Sequence, residues 1–332
     1  MNKEKNKGKT TKYIFLIILL LVLSTITILA ILIYSKYGDI SIEENEIEKN
    51  TISETNINEN EIIPIVDTSQ IDTSQINPYV ALGDSITYGS SLEDNSYRFS
   101  SLMESNLNLN TKNYGVDGMT SEWLLSELEK GKYKDDIKNA KLITLSIGSN
   151  DVLIAVYQTI ARTYGLKFYD NDVIGEATEL FKNSSLEGKY EMLKKLFTEL
   201  TSDQMEKDIE KSLKNYKKNF GKVIEKIKEI NPEVKIIAID YYNPYHEIFI
   251  PFFKDVSDKI NVQLDSYVDE LNNHLYKNTN LGYDVAYIKD EMYSHQAYNS
   301  YITLLGFNLD PHPNKLGHTI IYNSILKTLI GR

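Results

Sequence analysis

The chain of 332 residues contains no cysteine, and this absence excludes three kinds of chemistry at once. Catalysis by a thiolate, structural disulfide bonds and metal sites built from thiolates all require cysteine side chains. A chain without cysteine is compatible with an extracytoplasmic protein that folds without disulfide bonds. Cytosolic proteins also lack cysteine in some cases, so composition alone does not assign the compartment.

Positive charge is also scarce, because 36 lysines and arginines face 47 aspartates and glutamates, for a formal net charge of -11. Binding to nucleic acid depends on a basic surface that displaces phosphate counterions, so we predict no nucleic-acid partner. The acidic residues show no metal-ligand spacing, and neither a P-loop nor a dinucleotide-binding glycine motif occurs. We therefore predict an activity that uses no metal and no cofactor.

The one long hydrophobic run lies near the N terminus. Residues 1–12 carry five lysines against one glutamate, and residues 13–35 contain no charge. At about 1.5 Å per residue, a helix over this run spans the roughly 30 Å hydrocarbon core of a bilayer. Lysines favour the cytoplasmic side, so we predict a cytoplasmic tail (1–12), a transmembrane signal anchor (13–35) and an extracytoplasmic remainder. A cleaved signal peptide is the alternative, but no clear Ala-x-Ala site follows.

Residues 36–77 have the composition of an acidic linker. They are rich in Glu, Asn, Thr and Ser, and the sequence Asp-Thr-Ser-Gln occurs twice, at 67–70 and 72–75. Isoleucines are scattered through the segment without a helical or strand period, so little apolar surface would be buried to offset ordering. We predict a disordered tether, with binding to a partner as the alternative.

Residues 78–332 alternate short apolar runs with helical patterns, which predicts a parallel sheet covered by helices on both faces. A strong helical pattern precedes Asn231–Pro232, where the helix is expected to end. Residues 157–200 exceed what a crossover requires and predict a helical insertion, either a lid over the site or a structural elaboration. Four β-rich runs mark the candidate strands: 79–82, 142–147, 234–239 and 284–288.

Residues suited to catalysis follow these strands, at the sheet edge where α/β proteins bind ligands. Ser85 follows the first strand at a strand-to-helix turn, where the helix start favours developing negative charge. A serine hydroxyl becomes a good nucleophile when a neighbouring base takes its proton. The N–H of Ser85, the N–H of Gly115 and the side-chain amide of Asn150 would supply three donors to an oxyanion hole.

His312 is the predicted general base among the five histidines. Pro311 and Pro313 flank it and restrict the backbone, which holds the imidazole in one direction. A polar helical stretch, a tyrosine-rich loop and the last helix contain three of the other histidines: His274, His295 and His318.

Taken together, these segments resemble the sequence blocks of the GDSL, or SGNH, hydrolase family. The resemblance covers residues 79–332 and implies a three-layer α/β/α, flavodoxin-like fold and ester hydrolysis through an acyl-serine. Four blocks occur in family order: Gly-Asp-Ser at 83–85, a glycine turn at 115–118, Gly-Ser-Asn-Asp at 148–151 and Asp-Pro-His-Pro-Asn-Lys-Leu-Gly-His at 310–318.

The family's catalytic acid is the one residue that departs from the pattern. It usually stands three positions before the histidine, where this chain has Leu309. Asp310, two positions before, is the candidate acid, and a backbone carbonyl is the alternative. The Gly-x-Ser-x-Gly turn of α/β-hydrolases is absent, since position 87 is threonine. The resemblance implies these roles: Ser85 as nucleophile, Gly115 and Asn150 in the oxyanion hole, and His312 as base.

Tyr242 and Tyr245 follow the third strand, in a segment that also resembles bacterial members of the family. They line an acyl or sugar pocket or serve as half-buried packing. We predict an extracytoplasmic ester hydrolase that acts on a lipid, lysophospholipid or cell-wall ester. An acyltransferase using the same site is one alternative. A non-catalytic binding protein is another, and it would be expected to have lost a catalytic residue.

Fractionation of cells that produce the full chain tests the predicted anchor. We expect the protein in the membrane fraction with an N terminus near Met1, because no clear cleavage site follows the hydrophobic run. Protease added from outside should reach residues 78–332. A soluble form whose N terminus lies after residue 35 would contradict the prediction.

Overall fold

Five strands form one parallel sheet in the order β2-β1-β3-β4-β5. In this computed structural model, the described residues are 63–167, 173–246, 254–302, 307–308 and 310–331. The strands are β1 (Tyr79–Gly83), β2 (Thr111–Gly115), β3 (Leu142–Ser146), β4 (Lys235–Ile239) and β5 (Asp284–Ala286). All residues of β1 and β3 are buried, as in central strands covered on both faces. The strand order reverses between β1 and β3, where α/β sheets bind ligands.

Helices cover both faces of this sheet and complete the predicted three-layer arrangement. One hydrophobic cluster joins the sheet to three helices, Ser121–Glu129, Ser149–Tyr164 and Asp203–Ile230. A second cluster joins the opposite face to the helices Phe99–Leu107 and Lys315–Leu329. Two short strands, β6 (Tyr301–Ile302) and β7 (Phe307–Asn308), form a separate antiparallel pair. The helices are α1 (Ser85–Tyr88), α2 (Phe99–Leu107), α3 (Ser121–Glu129), α4 (Lys134–Asn139), α5 (Ser149–Tyr164), α6 (Val173–Lys182), α7 (Leu186–Leu200), α8 (Asp203–Ile230), α9 (Lys254–Lys277), α10 (Lys289–Ser294) and α11 (Lys315–Leu329).

Helix α8 confirms the strongest helical pattern in the sequence. The Ser202 hydroxyl accepts a hydrogen bond from the Met205 N–H and caps its start. The helix ends at Ile230, just before Asn231–Pro232, because proline cannot continue it. Its apolar stripe packs on the sheet, and burying each large side chain contributes about 1.5–3 kcal/mol. The buried residues are Met205, Ile209, Leu213, Tyr216, Phe220, Val223, Ile224 and Ile227.

The predicted insertion, 157–200, is helical throughout its described elements. It contains the second half of α5 together with α6 and α7, which form a small hydrophobic cluster of their own around Ile160, Ala161 and Val173. The Tyr164 hydroxyl donates to the Met192 carbonyl at 2.9 Å and joins α5 to α7. The insertion begins inside a continuous helix, so residue 157 is not a structural boundary.

The predicted linker, 36–77, is wrong at its C-terminal end, because residues 63–77 pack on the folded domain. Ile63, Val66 and Ile71 lie against the cluster that contains α2 and α11. The Asn323 side chain of α11 donates to the Pro64 carbonyl at 3.1 Å and accepts from the Val66 N–H at 3.2 Å. Such an arm leaves no periodic signal in the sequence, because it follows the surface of the domain instead of forming a regular element.

The Asp-Thr-Ser-Gln repeat within this arm forms two similar turns. Asp67 and Asp72 each accept a hydrogen bond from the serine N–H two residues later, at 2.9 and 3.0 Å. Aspartate commonly stabilises turns in this way. The repeat is therefore explained by local turn geometry.

Residues 1–62 contain the predicted tail, the predicted anchor and most of the predicted linker, and they lie outside the described residues. Within the part of the chain that is described, no helix is long and apolar enough to cross a bilayer.

The packed arm should stabilise the domain measurably. A chain that begins at residue 63 should melt about 5–10 °C above one that begins at residue 78, because the shorter chain loses the half-buried Ile63, Val66 and Ile71 and the buried Ile76. Asn323→Ala should lower the melting temperature of the longer chain and have a smaller effect in the shorter one, where its partners are gone. Equal melting temperatures for the two chains, measured by calorimetry, would show that the arm contributes nothing.

Candidate active site

Ser85 is the first residue of α1, directly beyond the carboxyl end of β1. The preceding Asp84 accepts a hydrogen bond from the Ile86 N–H at 3.0 Å and caps this helix. Among the described residues, no group forms a hydrogen bond with the hydroxyl or the N–H of Ser85. Both groups are therefore available to a substrate. The hydroxyl is not hydrogen-bonded to His312 in this state.

His312 and Asp310 form the closest catalytic contact that the sequence predicted. His312 Nδ1 lies 2.5 Å from Asp310 Oδ1, and the same oxygen accepts the His312 backbone N–H at 3.1 Å. The aspartate side chain thus folds back over the next two residues, which allows an acid two positions before the histidine to reach its ring. Because an ionised carboxylate only accepts hydrogen bonds, we assign the proton to Nδ1 and leave Nε2 as the base.

Further donors keep Asp310 ionised. The Asn299 side chain donates to Asp310 Oδ2 at 2.9 Å. Burial raises the pKa of Asp310, but hydrogen bonds from His312 and Ser91 outweigh it, so the pKa lies below its ordinary value. The carboxylate is consequently charged at neutral pH and suited to stabilise an imidazolium.

The loop that carries His312 is fixed through its backbone carbonyls. The Tyr242 hydroxyl donates to the Pro311 carbonyl at 2.6 Å, and the Asn299 N–H donates to the His312 carbonyl at 3.0 Å. Tyr242 is 7% exposed and stacks on Tyr298. Its place in the structure favours the packing alternative over a pocket-lining role.

The position of Tyr245 fits the predicted role in a substrate pocket better than that of Tyr242. Its side chain is half-buried and its N–H donates to Asn243 Oδ1 at 2.9 Å. Burial raises the pKa of Tyr245, and Tyr157 and Asp310 raise it further. Tyr245 therefore lies near both the acid of the pair and helix α5, which leads into the insertion.

Asn150 lies in the first turn of α5, just beyond the carboxyl end of β3. Its side-chain nitrogen donates one hydrogen to the Met119 carbonyl at 3.0 Å, which leaves the second amide hydrogen for a substrate. The neighbouring Asp151 accepts hydrogen bonds from the Ser121 N–H at 2.8 Å and the Ser121 hydroxyl at 2.5 Å. The first turn of α5 thus holds the glycine loop between β2 and α3.

The structure does not support Gly115 as an oxyanion donor. Its N–H already donates to Asn113 Oδ1 at 2.9 Å. A Cβ atom at position 115 would lie 2.1 Å from the Tyr88 N atom, so the glycine is required for α1 to pack on β2. The expectation was wrong because the glycine serves close packing and not substrate approach.

Gly118, three residues later, is the candidate donor that the sequence reasoning missed. It has a φ of +71°, nothing lies within 4 Å of a Cβ built there, and no described acceptor pairs with its N–H. It precedes Met119, whose carbonyl binds Asn150. The signal was present as the second glycine of the 115–118 turn, since a left-handed conformation with open space favours glycine.

Within the described residues, no three His, Asp or Glu side chains converge on a point that could hold a metal ion. The groups found at the carboxyl end of the sheet are a serine, a histidine–aspartate pair and two candidate amide donors. These are the components of a site for nucleophilic attack on a carbonyl group.

Comparison with known proteins agrees with this geometry. Residues 81–320 match the GDSL-like Lipase/Acylhydrolase family, and the chain belongs to that family. It is an enzyme of the esterase and lipase type. No curated protein matches the chain.

Several solved structures show similarity to this chain. Phospholipase A1 from Streptomyces albidoflavus NA297 is 15% identical over 76% of this chain and 99% of its own, with a TM-score of 0.49. An extracellular lipase from Streptomyces rimosus is 15% identical over 76% and 99%, with a TM-score of 0.47. The lipase Lip_vut3 from a goat rumen metagenome is 18% identical over 75% and 95%, with a TM-score of 0.43.

Substitutions at His312 and Asp310 should differ in their effect. His312→Ala should cost several orders of magnitude in kcat, because the imidazole must accept and return a proton. Asp310→Asn keeps a side-chain oxygen that can accept the His312 backbone N–H but removes the charge, so we expect a loss of about ten- to a thousandfold with KM little changed. Steady-state kinetics on an aryl ester measures both. Equal losses would make Asp310 as essential as the base, and no loss would indicate a Ser85–His312 dyad.

Proposed function

We propose that the protein is a membrane-anchored, extracytoplasmic serine ester hydrolase that acts through an acyl-serine intermediate. The observation that carries the proposal is the His312–Asp310 pair, with Nδ1 2.5 Å from the carboxylate, on a loop next to the nucleophile turn. The Ser91 hydroxyl supports this proximity, since it follows α1 closely and lies 3.2 Å from His312 Nδ1.

Acylation follows from the positions of these groups. His312 Nε2 takes the proton of the Ser85 hydroxyl as Oγ attacks the ester carbonyl carbon, and the carbonyl π bond breaks to give a tetrahedral oxyanion. The N–H groups of Ser85 and Gly118 and the Asn150 amide donate to that oxyanion. When the intermediate collapses, the C–O bond to the alcohol breaks and His312 returns the proton to the leaving oxygen.

Deacylation repeats these steps with water as the nucleophile. His312 takes a proton from water, the resulting hydroxyl attacks the acyl-serine carbonyl, and the Ser85 oxygen leaves and regains a proton from His312. Asp310 stays ionised and stabilises the imidazolium in both halves of the reaction. Each proton that His312 takes up is returned within the same half of the reaction.

The N-terminal sequence supports the location. The lysines of residues 1–12 and the uncharged run of residues 13–35 favour an anchor with the catalytic domain outside. A domain attached to the outer membrane-water interface would meet esters of lipids or of acylated cell-wall carbohydrate. We propose this group of esters as the substrate class.

Ser85→Ala tests the nucleophile directly. The variant should lose nearly all esterase activity and keep its melting temperature, because the hydroxyl takes part in no core packing. A fluorophosphonate probe should label the wild type and a Ser105→Ala control, whose exposed serine lies away from the site on α2. Labelling that survives in Ser85→Ala would disprove the assignment.

The acyl group is identified by aryl esters of increasing chain length. A preference for acetate would indicate deacetylation of carbohydrate, and a preference for long chains would indicate lipids. Product analysis with a sugar acceptor distinguishes the hydrolase from an acyltransferase, because only the transferase yields an acylated sugar.

A further inference from the structure

The loop that follows α1, residues 89–92, is tied to the nucleophile itself. The N–H groups of Gly89 and Ser90 both donate to the Ser85 carbonyl, at 2.9 and 3.0 Å. Gly89 ends the helix in the left-handed region with a φ of +85°. The position of this loop is therefore fixed relative to Ser85 by two backbone hydrogen bonds.

Ser91 contacts the acid and the base. Its hydroxyl oxygen lies 3.2 Å from His312 Nδ1, and its side chain also forms a hydrogen bond with Asp310. Since Nδ1 carries the proton, the geometry fits a Ser91 hydroxyl that donates to the Asp310 carboxylate. The Nδ1–H of His312 is then shared between Asp310 and the Ser91 oxygen as a bifurcated hydrogen bond. Ser91 has a φ of +67°, which is uncommon outside glycine and asparagine.

Ser90 contacts the other side of the site. Its hydroxyl donates to Asp117 Oδ1, in the loop that also carries Gly118. The same loop is bound from its other end by Asn150, through Met119. Two adjacent serines thus extend from the nucleophile turn to the two loops that complete the site.

We propose that Ser90 and Ser91 are positioning residues that fix the oxyanion loop and the His312–Asp310 pair against the nucleophile. Ser91 would hold the imidazole with Nε2 toward Ser85, and Ser90 would hold the Gly118 N–H at the oxyanion position. The inference rests on the proposed function, because it assigns these serines to the reaction of Ser85 and His312. Neither serine exchanges a proton with the substrate.

The kinetics of Ser91 variants distinguish the effect of the hydroxyl group from the effect of the backbone conformation. Ser91→Ala and Ser91→Gly should both lower kcat about tenfold with KM little changed, because both remove the hydroxyl. Glycine adopts a positive φ freely, so Ser91→Gly should be the more stable of the two. If Ser91→Gly keeps full activity, backbone conformation and not the hydroxyl is what matters, and the proposal is overturned.

A double-mutant cycle tests whether Ser91 acts through the acid. In an Asp310→Asn background, Ser91→Ala should cost little more, because its partner has already lost its charge. The proton NMR resonance of the His312 Nδ1–H should also shift in Ser91→Ala. A loss that is as large in the Asp310→Asn background as in the wild type, or an unchanged resonance, would contradict the role.

Ser90 is tested in the same way against Asp117. Ser90→Ala should lower kcat about tenfold, and the loss should largely disappear in an Asp117→Asn background. Its effect should multiply with that of Ser91→Ala, since the two serines hold different loops. Wild-type activity in Ser90→Ala, or an undiminished loss beside Asp117→Asn, would overturn this half of the proposal.

Two controls separate this inference from the proposed function. Ser105→Ala should match the wild type, since the hydroxyl of that exposed serine donates to the Leu102 carbonyl within α2. If Ser85→Ala abolishes activity but the Ser90 and Ser91 variants do not reduce it, only the positioning role fails. If Ser85→Ala remains active, both the proposed function and the positioning role fail.

Discussion

The four-residue helix α1 packs so closely on the ends of the strands beneath it that side chains are excluded there. A Cβ atom at Gly83 would lie 2.5 Å from the Thr87 hydroxyl oxygen, and one at Gly115 would lie 2.1 Å from the Tyr88 N atom. This packing fixes where Ser85 leaves the sheet. The loop that follows α1 then contacts His312 through Ser91 and the loop of Gly118 through Ser90.

The pKa values of two carboxyl groups close to His312 are shifted in opposite directions. Burial raises the pKa of Asp84 to about 7, whereas hydrogen bonds bring that of Asp310 below its ordinary value against the effect of burial. In mildly acidic solution one is therefore neutral and the other charged, so His312 faces one nearby negative charge instead of two. Opposed pKa shifts of this kind commonly separate the roles of neighbouring acids.

The neutral state of Asp84 has a consequence for stability. Its pKa in the folded chain, about 7, lies above the ordinary value of 3.8. Between these two pH values the folded state therefore binds more protons than the unfolded state. The contribution of Asp84 to stability is present below about pH 4 and falls as pH rises toward 7. Asp310 acts in the opposite sense, because its depressed pKa adds stability above the ordinary range and loses it on acidification.

The regular elements of this molecule were predictable from its sequence. The contacts that depend on a side-chain rotamer or on an irregular turn were not. The strands β1, β3, β4 and β5 and the helix α8 follow from runs and periods of apolar residues, and Ser85 and Asn150 follow from what succeeds β1 and β3. His312 was selected by the prolines that flank it. Asp310 reaches its partner through a side-chain rotamer, which no spacing reveals. The docked arm at residues 63–77 has no period, and Ser91 belongs to no motif, because its role depends on a backbone turn.

The continuity of α5 limits how the helical insertion moves if it covers the site. This helix runs from Ser149 to Tyr164, so its first turn holds Asn150 while its last turns pack against α6 and α7. A lid that opened at residue 157 would have to break the helix. Gly165, with a φ of +69° and open space around it, ends the helix and is the first position where the backbone can turn freely. A turn at Gly165 would leave α5 unbroken and keep Asn150 on the Met119 carbonyl, so a movement of the insertion would not change the position of Asn150.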